Sequence, residues 1–115
     1  MNFIQRTCLK IMKMQYGFLS KAYQLHNALY FVEPHDIFIL NQKDNFFSLV
    51  EDKNKNACFN ILFNIEKYCN EKIEEQKNII LKNKKMTFIE KEQISFYLDK
   101  IKIINMIKMI LKLFF

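Results

Sequence analysis

An all-α fold, an irregular bundle of three to four helices, follows from three features of this sequence. The 115 residues include one glycine and one proline, whereas all-β sandwiches and barrels use both at turn after turn. Half of the residues are apolar, which excludes a disordered or collagen-like chain. The apolar residues also recur at helical spacing over long stretches, and the expected frame is a long N-terminal helix and a C-terminal helical hairpin. No linker or internal repeat interrupts the pattern, so residues 1–115 read as one helical domain.

Residues 3–32 carry the clearest periodicity. Ile4, Cys8, Ile11, Gln15, Phe18, Ala22, Leu25, Leu29 and Val32 step by four and three throughout. A second row, Leu9, Met12, Tyr16, Leu19, Tyr23 and Tyr30, widens the stripe, and Arg6, Lys10, Lys13, Gln24 and Asn27 take the opposite side. The spacing predicts one long amphipathic helix with a broad buried face. Gly17 falls on the polar side and costs about 1 kcal/mol relative to alanine. Pro34 disfavours helical geometry at Glu33 and is expected to end the helix there.

Residues 35–52 admit two readings. Apolar runs at 37–40 and 46–50 flank a polar stretch at 41–45, a pattern that suits a β-hairpin with a five-residue loop. The same residues suit a short helix starting at Asp36, or a helical turn capped by Asp44 or Asn45. In a chain otherwise helical, the helix is preferred.

Residues 54–56 form a polar break with asparagine available as an N-cap, and a third long helix is predicted over 57–84. Cys58, Leu62, Ile65, Cys69, Ile73 and Ile80 line one face, with Ile61, Tyr68 and Leu81 beside it. Residues 71–78 hold a single apolar side chain and read as solvated. A turn follows at 81–86. Thr87 and Glu90 then have capping-box spacing and open the last helix, 88–113. Ile94, Tyr97, Ile101 and Ile104 point inward on this reading, and Glu92, Ser95, Asp99 and Lys102 outward. Beyond Ile101 the apolar arc widens until Lys102, Asn105, Lys108 and Lys112 are a narrow polar stripe.

Net charge is +6 and the isoelectric point about 9.2, a balance that ordinarily points to nucleic acid or an anionic membrane. Lysine, asparagine, isoleucine and phenylalanine dominate while glycine, alanine, proline, arginine and tryptophan are scarce, which matches A/T-rich against G/C-rich codons. Lysine is then the default polar residue of an A/T-rich genome, and the charge signal is discounted. Arg6 is the only arginine, although bidentate phosphate and guanine recognition favours the guanidinium. The net negative segment 33–52 is expected to sit against the basic first or last helix.

Little in the sequence suggests catalysis. Cys8, Cys58 and Cys69 are an odd count without a CxxC pair, and Cys58 and Cys69 are about 16 Å apart along one helix. They read as buried thiols of an intracellular reducing compartment. A lone glycine rules out phosphate-cradling loops. His26 and His35 lack zinc-type spacing, so neither metal nor cofactor is expected. Cys69, His35 and Asp36 can be drawn as a nucleophilic group, but no spacing fixes it. Glu71, Glu74 and Glu75 with Lys67, Lys72 and Lys77 form a solvated charged face. No enzyme activity and no small-molecule substrate are inferred. No stretch reaches the roughly 18 apolar residues of a membrane span. The acid-free start resembles a presequence only faintly, and no cleaved signal is expected.

The distinctive segment is 101–115. A basic helix with a wide apolar arc suits a partner's groove, so Met106, Ile110, Leu113, Phe114 and Phe115 are the candidate contacts, with Lys108 and Lys112 at the rim. The expected role is that of a non-catalytic accessory or inhibitor-like protein docking on a larger assembly, or forming a homo-oligomer. The alternatives are a membrane-surface protein using the same helix, or a nucleic-acid-associated subunit gripping phosphates with Lys82, Lys84 and Lys85.

Overall fold

The computed structural model describes residues 1–21, 24–25, 29–30, 34–83 and 88–115. The fold is an all-α bundle, elongated to 53 × 28 × 20 Å. Among the described residues there are five helices: α1 (Phe3–Leu19), α2 (Pro34–Asn41), α3 (Lys43–Glu51), α4 (Lys55–Asn83) and α5 (Phe88–Phe114). Between α1 and α2 lies a two-residue antiparallel pair, β1 (Gln24–Leu25) with β2 (Leu29–Tyr30).

The first helix starts as a capping box that the sequence reading passed over. The Asn2 side chain accepts from the Gln5 amide at 2.8 Å, and the Gln5 side chain accepts from the Asn2 amide at 3.2 Å. The predicted helix over 3–32 is corrected at its other end, because α1 stops at Leu19. The Lys100 ammonium, arriving from α5, donates to the carbonyls of Leu19 and Lys21. A cation on the last carbonyls also complements the helix dipole. Leu25, Leu29 and Tyr30 belong to the short strands, while Ala22, Tyr23 and Val32 lie outside the described residues. The buried face of α1 is Cys8, Met12, Tyr16 and Leu19; Ile4 and Phe18 of the expected seam are exposed.

Pro34 opens α2, where its fixed φ and missing N–H cost nothing. The ambiguous segment is helical, split at Gln42 into α2 and α3. The end of α3 is a Schellman motif: Asn54 N–H donates to the Leu49 carbonyl at 3.0 Å and Lys53 N–H to Val50 at 3.1 Å. Lys53 takes the left-handed position at φ 56°, where glycine is usual. Asn54 then caps α4, its side chain accepting from the Ala57 amide at 3.3 Å. Thr87 lies outside the described residues, and with it the predicted capping box of α5.

Packing centres on α5, which lies antiparallel to both α1 and α4. Gln5 donates to the Phe114 carbonyl at 3.3 Å and Lys100 reaches Leu19, so both ends of α1 are tied to α5. Lys108 pairs with Glu66 of α4. α3 fills the space beneath, where Phe46 and Phe47 pack their rings on Tyr16 with centroids 5.7 Å away. Tyr16 donates its hydroxyl to the Ile39 carbonyl at 2.7 Å, and Phe38 stacks on Tyr68, so α2 is joined to α1 and α4. The predicted inner face of α4 is seen as far as Ile73: Cys58, Ile61, Leu62, Ile65, Cys69 and Ile73 are buried, whereas Tyr68 and Ile80 are half-buried and Leu81 is exposed. Beyond Ile73, α4 buries no further side chain up to Asn83, and α5 buries none before Tyr97.

Candidate interaction surface

Helical spacing divides α5 into rows with different surroundings. Lys100, Ile103, Ile107, Ile110 and Phe114 step by three and four, and the two ends of this row touch α1. Tyr97, Ile101, Ile104, Lys108 and Leu111 form the next row, which meets α4 at Glu66. The arc left over faces outward and holds Leu98, Lys102, Met106, Met109 and Leu113, all exposed.

The residues proposed from the sequence as partner contacts therefore separate. Phe114 is 2% exposed and belongs to the core, because the C-terminal turn packs against the start of α1. Ile110 is half-buried against the same core. Lys108 is half-buried in its pair with Glu66, so its ammonium is engaged inside the bundle. Met106 (46%), Leu113 (72%) and Phe115 (39%) remain exposed, as does Lys112. Met109, at 67%, is the outward residue the sequence reading left out. Its signal was available, three residues from Met106 and four from Leu113.

At one end of the molecule the Gln5–Phe114 hydrogen bond brings the first turn of α1 beside the last turn of α5. Met1, Phe3 and Ile4 are exposed there together with Leu113 and Phe115. At the other end Leu81, Phe88 and Ile89 are exposed. Lys82 is exposed at the close of α4, while Lys84 and Lys85 lie outside the described residues.

Lys100 is the functional-looking residue that the sequence reading missed. It is 2% exposed, donates to two backbone carbonyls and lies 4.6 Å from the Phe96 ring centroid. Its role is structural, as a cap for α1. A lysine on the Tyr97 and Ile104 face, four residues before Ile104, was the clue.

Cys8, Cys58 and Cys69 are free and buried, and burial pushes the Cys58 thiol up to about 11. Cys69 is fully enclosed, while the side chains of His35 and Asp36, with which it can be drawn on paper, lie outside the described residues. His26 lies outside the described residues. Among the described residues no three His, Cys, Asp or Glu side chains are arranged to hold a metal ion, and no helix is long and apolar enough to cross a membrane. A shallow groove of about 590 Å³ follows α4, lined among the described residues by Phe63, Asn70, Asn78 and a mixed set of glutamates and lysine. No histidine or thiol lines it among the described residues.

No protein-family model, curated protein or solved structure matches this chain.

Proposed function

We propose that this chain is a non-catalytic helical interaction module that docks on a larger protein assembly through the outward face of α5. The observation that supports it is the contrast within one helical turn between Phe114, sealed in the core, and Leu113, 72% exposed, with Met106 and Met109 in line behind it. A helix already packed on two neighbours has its folding requirement met by its inner rows. A third apolar row of large side chains gains nothing for the isolated chain, and rows of this kind mark interaction sites.

A photo-crosslinking amino acid at position 109, in the cells that make the protein, tests this. A defined protein adduct is expected, and Met106→Glu is expected to abolish it while leaving the melting temperature unchanged. Absence of any protein adduct from position 109 or 113 overturns the reading.

A further inference from the structure

We infer that the occupant of the outward α5 row is an acidic amphipathic helix on the partner protein. This deepens the interaction-module reading and rests on it. Leu98, Lys102, Met106, Met109 and Leu113 are exposed along sixteen residues, a length of about 22 Å, or four helical turns. A partner helix presenting apolar residues at i, i+3 or i+4 and i+7 lies along such a row, and two methionines give it an adaptable surface.

Charge names the chemistry of that helix. Residues 1–32 and 100–115 contain eight lysine and arginine side chains and not one carboxylate side chain, against +6 for the whole protein. These stretches include α1 and the half of α5 tied to it; with Lys100 buried against α1 and Lys108 paired with Glu66, the α5 cations left exposed there are Lys102 and Lys112, with Asp99 just before the stretch. Lys102 stands inside the apolar row and Lys112 beside it. The exposed pair of Lys102 with Asp99 is long, at 3.9 Å, and such surface pairs contribute little. Carboxylates ten residues apart on the partner, about 15 Å, would meet Lys102 and Lys112 together.

The same interleaving disfavours the other occupants. In a two-fold pairing of this row with its own copy, Lys102 and Lys112 face lysines, and like charges opposed across an interface oppose association. Helices that rest on a membrane separate their cations from their apolar arc. Here Lys102 has nearly the bearing of Met106 and Leu113, four and eleven residues on, and would enter the lipid with them.

The test uses the full chain, isotope-labelled for NMR, and two synthetic 18-residue helices, one of leucine, alanine and glutamate, the other with lysine at every glutamate. The glutamate peptide is expected to shift the amides of Lys102, Met106, Met109 and Leu113, and to bind at least tenfold more tightly than the lysine peptide. Lys102→Glu combined with Lys112→Glu is expected to reverse that preference with the fold intact. Equal binding of both peptides, or no response along α5, overturns the inference. So does tighter binding of the row to phosphatidylserine-containing vesicles, or a concentration-dependent dimer that shifts the same amides. A protein adduct at position 109 whose attachment site is not acidic removes this inference and leaves the interaction-module reading standing, whereas no adduct at all removes both.

Discussion

The side-chain ammonium of Lys100, in the middle of α5, donates to the backbone carbonyl of Leu19, the last residue of α1. One cation on α5 thereby terminates another helix 81 residues earlier in the chain. A second bond, to the Lys21 carbonyl at 2.9 Å, holds the chain as it leaves the helix. Lys100→Met keeps most of the buried stem but removes the donor, leaving those carbonyls to find other partners. It is expected to cost about 1.5–3 kcal/mol, measured as a lower urea midpoint with an unchanged slope.

Adjacent residues at the end of α5 are expected to respond in opposite ways. Phe114→Ala opens a cavity in the core and should cost about 3–5 kcal/mol. Leu113→Ala removes a side chain that is 72% exposed and should stay within about 0.5 kcal/mol of wild type. Thermal unfolding of the two variants checks the division of α5 into an inner and an outer row. Equal losses would refute it.

Alkaline pH should weaken the fold. Burial raises the Cys58 thiol from 9.0 to about 11 and pushes the Tyr16 phenol well above its ordinary range. Above pH 9 the unfolded chain releases the Cys58 proton while the native protein retains it, and above pH 10 the same holds for Tyr16. The unfolded state is then favoured, with stability falling by about 1.4 kcal/mol per pH unit for each group inside its window. Urea unfolding at pH 8, 9.5 and 10.5 should show the decline, and Tyr16→Phe should flatten its upper part. Tyr16→Phe also removes one of two donors to the Ile39 carbonyl, the Gln42 amide remaining at 3.3 Å, at a cost near 1 kcal/mol at neutral pH.

The chain's lone glycine is in a helix, and its left-handed turn lacks one. Gly17 lies in α1 with open space where a β-carbon would project, so Gly17→Ala should stabilise by about 0.5–1 kcal/mol. Lys53 bears the positive φ of the Schellman turn, and Lys53→Gly should relieve about 1 kcal/mol of strain. The sites are on different elements, and the double variant should show the sum. Differential scanning calorimetry of the three variants measures it.

Much of the helical hairpin was legible because its inner faces are strictly periodic. Cys58, Leu62, Ile65, Cys69 and Ile73 follow the spacing and are buried. The end of α1 was not legible. Its periodicity continues on paper through residues 22–32, whereas the stop is supplied by Lys100 from a distant part of the chain. The candidate surface was half legible: Met106 and Leu113 were selected, yet so were Phe114 and Lys108. From Ile101 onward the apolar residues cover so much of the helix that spacing alone does not say which arc faces a neighbour. Docking of α1 on one side and α4 on the other makes that choice.

The antiparallel pairing of α1 with α5 also sets an order of assembly. α4 and α5 are joined by a short connection and can close locally. α1 must wait for residues 81 to 109 positions downstream. At about 5–20 residues per second, ribosomal synthesis leaves the apolar face of α1 without its mate for on the order of ten seconds. Of the described helices, α1 is thus completed late: α3 can cover Tyr16 early, but the Leu19 end waits for α5 and is open to aggregation, and to chaperones, until then.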